Sequence, residues 1–155
     1  MKTIELGPAI GQKVTDFNLE DGKQQRFTLG GLIGDSGILL GFIGNIWHVA
    51  SIRRILWLQH HLHRFTLMGV SVALLVEEHH NTLHSFLMSS PLPVPFPILA
   101  DAEGKTHAQY HMHRHPGLLL VDNERILREK WLMSIDRVWP KQSEIAEAIQ
   151  RVTRP

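Results

Sequence analysis

The 155-residue chain contains no cysteine. It can therefore form no disulfide, present no thiolate nucleophile and hold no Cys-ligated zinc or iron–sulfur site. A surplus of either charge is missing too, since 16 Lys+Arg stand against 15 Asp+Glu for a net charge of +1. Such a balance creates no strong field toward phosphate backbones or anionic membranes, and neither nucleic acid nor a membrane is expected as a partner. Long apolar runs are also absent: the stretches 36–43 and 67–76 are too short to span a bilayer, and Met1–Leu6 lacks the apolar core of a secretory signal. The expected compartment is the cytoplasm.

What remains is an ordinary apolar share, 43%, in a length that suits one domain over residues 1–155 with a buried core. Eleven histidines are the compositional excess. Val14–Leu19 alternates at period two, Glu20-Asp21-Gly22-Lys23 provides turn chemistry, and Gln25–Leu29 resumes the alternation, which predicts an N-terminal hairpin. Gly37–Ile43 is a continuous apolar run that suits a central strand covered on both faces, with Gly44-Asn45 ending it. From Ser51 to Phe65, Ile52, Ile55, Leu58 (or Leu56), Leu62 and Phe65 recur at helical spacing. A second buried strand is expected over 67–76, followed by a helix over 77–88 that begins at a solvated Glu77-Glu78.

The proline-rich segment 91–97 resists both helix and ladder. A short strand is expected at Phe96–Ala100, then a helix over 102–110 with Asp101 as its N-cap. Leu118–Val121 and Ile126–Leu132 flank Asp122–Arg125 as an antiparallel hairpin, and Ile145, Ala148, Ile149 and Val152 make a terminal amphipathic helix over 141–152. Alternating strands and helices, then a hairpin and a last helix, give an α/β three-layer pattern with a mixed sheet.

Four segments in this order resemble the thioredoxin-fold redoxins, in particular the peroxiredoxin or alkyl hydroperoxide reductase (AhpC/TSA) group. They are the "VTDFNLEDG" lead-in, "ILLGFIGNIWHVAS" from Ile38, "FPILADAEGKTHAQY" from Phe96 and "HPGLLLVDNERIL" from His115. The resemblance spans roughly residues 10–150. It implies a thioredoxin-like α/β/α sandwich with a mixed central sheet and an N-terminal β-hairpin, a homodimer, and Pro116 as the family's cis-proline.

The same resemblance places the redox motif at Trp47-His48-Val49-Ala50-Ser51. Against W-C-x-x-C, His48 stands for the first cysteine and Ser51 for the second. Against the peroxiredoxin T-x-x-C, His48 stands for the threonine, Ser51 for the peroxidatic cysteine and Gly44 for the proline four residues earlier. The family's assisting arginine falls near Pro116 and is missing. A serine hydroxyl stays protonated and cannot cycle through sulfenic acid or disulfide, so the family's antioxidant peroxidase or thiol oxidoreductase activity does not transfer to this chain. An engineered Cys-to-Ser exchange at Ser51 would leave the same residue, but loss of the other motif residues favours natural degeneration.

The expectation is a non-peroxidatic binding or assembly module that takes an unknown protein or small ligand at the former redox site. The alternatives are thiol oxidoreductase function by descent and a histidine-based metal protein. In the resembled fold His48, Ser51 and His115 converge, with His113 and His111 near. No cofactor is expected from the motifs; zinc or copper enters only through His48, His113 and His115 as ligands. His111, His113 and His115 alternate and equally suit a solvated loop. His60, His61, His63, His79, His80 and His84 are expected mostly on the surface, as no H-E-x-x-H accompanies them. His48 and Ser51 are close enough for a hydrolase pair, but no G-x-S-x-G surrounds Ser51 and no orienting acid is evident. The four tryptophans are expected as packing bodies.

Overall fold

The apolar run at 37–43 becomes β3 (Gly37–Gly44), the centre of a mixed seven-stranded sheet. The computed structural model describes residues 7–89, 93–112, 116–133 and 139–153. β4 (Val70–Val76) lies parallel to β3 on one side, and β6 (Gly117–Asp122) antiparallel on the other. Beyond β4 come β5 (Ile98–Ala100), parallel, and then β1 (Asn18–Asp21) and β2 (Arg26–Thr28), the antiparallel N-terminal hairpin. β7 (Leu127–Leu132) closes the opposite edge against β6. The order is β2-β1-β5-β4-β3-β6-β7.

Successive side chains of β3 enter opposite cores, as the two-residue period requires. Leu39 and Ile43 join Ile55, Leu58 and Phe65 of α2 (Val49–Leu67), Leu83 and Phe86 of α3 (His80–Ser89) and Ile145 and Ile149 of α5 (Gln142–Thr153). Ile38, Leu40 and Phe42 join Val14, Phe17, Leu29 of α1 (Leu29–Leu32), and Tyr110 and Met112 beyond α4 (Lys105–Gln109). Both sheet faces are thereby covered, which gives the expected thioredoxin-like three-layer α/β/α sandwich. No helix among the described residues is long and apolar enough to cross a membrane.

Several boundaries differ from the sequence reading, each for a local reason. Val14 and Phe17 fill the second core from a loop before the hairpin, where Asp16 Oδ1 accepts the Leu29 amide at 2.9 Å. Leu67 ends α2 instead of opening a strand, because Gly69 at φ +79° turns the chain before β4 begins. Glu77 and Glu78 precede α3 and are part-buried, not the solvated start of a helix. Instead of one helix over 102–110, a 3-10 turn at Ala102–Gly104 is followed by α4, and left-handed Glu103 (φ +68°) and Gly104 (φ +69°) separate them.

Candidate functional site at the amino end of helix α2

The parallel strands β3, β4 and β5 all end on one edge of the sheet, the side where open α/β sheets place ligands. Two backbone hydrogen bonds tie the segments leaving them together: the Glu77 amide donates to Gly44 O at 2.8 Å, and the Asp101 amide to Val76 O at 2.7 Å. β6 starts at the same edge, since Gly117 pairs with Phe42. Pro116 is therefore adjacent to the candidate site, but His113 and His115 lie outside the described residues. Neither their approach to His48 nor the isomer of the His115–Pro116 bond is described.

Gly44 leaves β3 at φ +62°, a conformation close to glycine's own. Proline, with φ held near −65°, does not fit this backbone. The chain then turns through Asn45, whose side-chain oxygen accepts the Trp47 amide at 2.9 Å, and enters α2. His48 is the N-cap: its Nδ1 accepts the Ala50 amide at 3.2 Å. An accepting Nδ1 places the neutral ring's proton on Nε2, so a metal bound at Nε2 would require a tautomer shift that breaks the cap.

Ser51 sits in the first turn of α2 and is 1% exposed. Its hydroxyl donates to Asn45 O at 2.6 Å and approaches Ile43 O at 3.5 Å. Ser51 and His48 thus do not form a nucleophile–base pair: the Ser51 proton is directed to a carbonyl, and the accepting nitrogen of His48 is occupied by a backbone amide. Around them the surface is apolar. Trp47 is 50% exposed with its ring edge-on to Phe86 at 5.2 Å, and Val49 and Ile52 project outward from the first turn.

A buried polar cluster behind this turn was not evident from the sequence. Asp101, expected as an N-cap of its own helix, makes no cap bond to the 3-10 turn and instead accepts from the Thr106 and His107 amides at 3.0 and 2.7 Å. The His107 ring donates from Nδ1 to the same carboxylate at 2.7 Å and meets Phe42 edge-on. Its Nε2 is buried without a hydrogen-bond partner, 4.0 Å from Glu77 Oε1. Burial pushes the Asp101 carboxyl up, but donation from the His107 ring and the two amides outweighs it and holds the group below the usual carboxylate range. The available signal was spacing: His107 falls three residues before Tyr110, on the apolar side of the segment.

The remaining histidines are mostly where expected. His60, His63, His79, His84 and His111 are exposed, and His61 and His80 part-buried. No group of three or more His, Asp or Glu able to hold a metal occurs among the described residues. The tryptophans divide: Trp139 is buried, with Nε1 donating to Arg54 O at 3.1 Å, Trp57 and Trp131 pack at the core margin, and Trp47 faces solvent.

A three-layer sandwich whose central strand runs into a capped helix beside the start of β6 defines a thioredoxin-fold protein. Solved structures share this arrangement. A peroxidoxin, BcpB, from Mycobacterium tuberculosis superimposes with a TM-score of 0.77 at 17% identity, covering 97% of this chain and 100% of that one. The reduced 2-Cys peroxiredoxin of Plasmodium vivax gives 0.81 at 16% identity, over 91% and 80%. A putative thiol:disulfide interchange protein, DsbE, from Chlorobium tepidum gives 0.73 at 18%, over 94% and 98%. No curated protein sequence matches the chain. The AhpC/TSA family profile matches residues 10–130, and the chain belongs to that family, without any cysteine.

Proposed function

We propose that this chain is a redoxin-fold binding module without thiol chemistry, working in the cytoplasm, that engages a partner at the surface around the amino end of α2. The observation that carries this reading is Ser51, to which the family resemblance assigns the redox-motif position: its side chain is buried and its hydroxyl is donated to Asn45 O. Reduction of a peroxide needs two electrons, which a thiolate supplies on becoming sulfenate and an alcohol does not. The neighbouring exposed groups, Trp47, Val49 and Ile52, offer contact area and no nucleophile.

The test is peroxide consumption by the pure protein with dithiothreitol or thioredoxin as reductant. The expected result is no turnover above the reductant alone. Sustained turnover would overturn the reading in favour of an oxidoreductase by descent.

A further inference from the structure

Helix α2 presents an outward face that nothing in the described chain covers. At ~100° per residue, Val49, Ile52, Arg53, Leu56, His60, His63, Arg64 and Leu67 fall within about 120° of one another, and all are exposed. The face is divided lengthwise. Val49, Ile52, Leu56 and Leu67 form its apolar side, interrupted by His63 and continued by Trp47 in the preceding loop, while Arg53 and Arg64, with His60 between them, form its basic side.

The charges on this face are unanswered. α2 contains three arginines, three histidines and no acidic residue. Elsewhere Arg26, Arg125, Arg128 and Arg151 each meet a carboxylate within the chain, at 3.1, 3.5, 3.2 and 3.8 Å. Arg53 and Arg64 meet none among the described residues. Burial first, and then the neighbouring His60 and Arg64, hold the His61 imidazole below its ordinary value.

We propose that the outer face of α2 is a docking surface for an acidic amphipathic segment of another protein, laid along the helix with its apolar side on Trp47, Val49, Ile52 and Leu56 and its carboxylates on Arg53, His60 and Arg64. This deepens the binding-module reading, on which it depends, by naming the chemistry of the partner. Apolar area at the centre of such a contact provides affinity, and opposite charge along its margin provides register and encounter rate. A second copy of the chain fits less well: two α2 helices packed antiparallel about Leu56 would set Arg53 against Gln59 and Arg64 against the N-cap His48, with no acid from either. An anionic membrane is also a poorer match, because only two unpaired arginines face out, against the clusters of about 4–8 cations that hold polybasic segments to lipid.

The probe is a synthetic amphipathic peptide of roughly 18 residues with leucines along one face and glutamates flanking them, beside a version with lysines in place of the glutamates. Each is titrated into isotope-labelled full-length protein and followed by amide and indole shifts. We expect saturable binding of the acidic peptide at least about tenfold tighter than of the lysine peptide, with shifts confined to residues 47–67. Arg53→Glu with Arg64→Glu, and separately Leu56→Glu, should each weaken binding about tenfold or more, with circular dichroism unchanged. Equal affinity for both peptides, shifts mapping elsewhere, binding only to vesicles of phosphatidylserine and phosphatidylcholine, or sedimentation showing a dimer that Leu56→Glu disperses would each overturn the proposal. Failure here with no peroxide turnover removes the acidic partner and leaves the binding-module reading; peroxide turnover removes that reading itself.

Discussion

The His107 ring donates from Nδ1 to Asp101 Oδ2 over 2.7 Å, with both side chains shielded from solvent. Asp101 also accepts two amides of the first turn of α4, so one carboxylate fixes the imidazole and the helix start together. Asp101→Asn removes the charge from these contacts and leaves His107 Nδ1 with a weaker acceptor. A loss of about 1–3 kcal/mol is expected at neutral pH. Because the folded carboxyl lies below its unfolded value, near 3.9, its contribution is complete above about pH 4 and is lost as pH falls through the folded value. Urea unfolding from pH 7 to 2 should show a steeper acid loss in the native protein than in Asp101→Asn. Equal acid slopes would remove Asp101 from the account.

Replacing Ser51 with cysteine restores the sulfur without restoring its setting. The side chain remains buried, its neighbour His48 remains engaged as the N-cap, and the proline and arginine that the family resemblance implies at Gly44 and near Pro116 are not supplied. Ser51→Cys should therefore consume no peroxide, and its thiol should react with a disulfide reagent about tenfold or more slowly than free cysteine, since burial opposes access and ionisation. Fast modification together with peroxide turnover would show that cysteine loss is the only barrier to the family's chemistry.

Long periodic segments were legible in the sequence because burial on one or both faces writes itself into residue order: Gly37–Ile43, Ser51–Phe65 and 141–152 all became the expected elements. Membership of the AhpC/TSA family was legible as well, from the order and spacing of four segments. What the sequence did not show depends on side chains meeting across the fold. Asp101 reads locally as a cap, and only the return of α4 brings His107 onto it. Glu77-Glu78 reads as a solvated pair, and only the hydrogen bond from Glu77 to Gly44 O turns Glu77 toward His107. The cationic side of α2 is present in the sequence, but its lack of acidic partners emerges only once the ion pairs elsewhere are placed.

Gly44 tests whether the backbone has moved away from the family's motif. At φ +62°, an added Cβ meets nothing within 4 Å, so a substitution there reports conformational preference and not crowding. Gly44→Ala should cost about 1–2 kcal/mol from the left-handed conformation alone. Gly44→Pro should cost about 3 kcal/mol or more, since the ring excludes positive φ. Thermal unfolding of both variants measures this. A proline tolerated as well as alanine would mean that the segment readily takes up the backbone the motif's proline implies.

His48 separates capping from catalysis or ligation. If its contribution is the Nδ1 bond to the Ala50 amide, His48→Asn or His48→Ser should preserve stability, because both are favoured N-caps. His48→Ala should cost about 0.5–2 kcal/mol, by removing the acceptor and leaving an amide of the first turn unpaired. Zinc or copper content by elemental analysis should be the same in all three variants, since the capping tautomer carries its proton on Nε2. A metal bound stoichiometrically by the native protein and lost in His48→Asn would show that the imidazole leaves the cap to act as a ligand, and would return His48 to the role that His113 and His115 were expected to share.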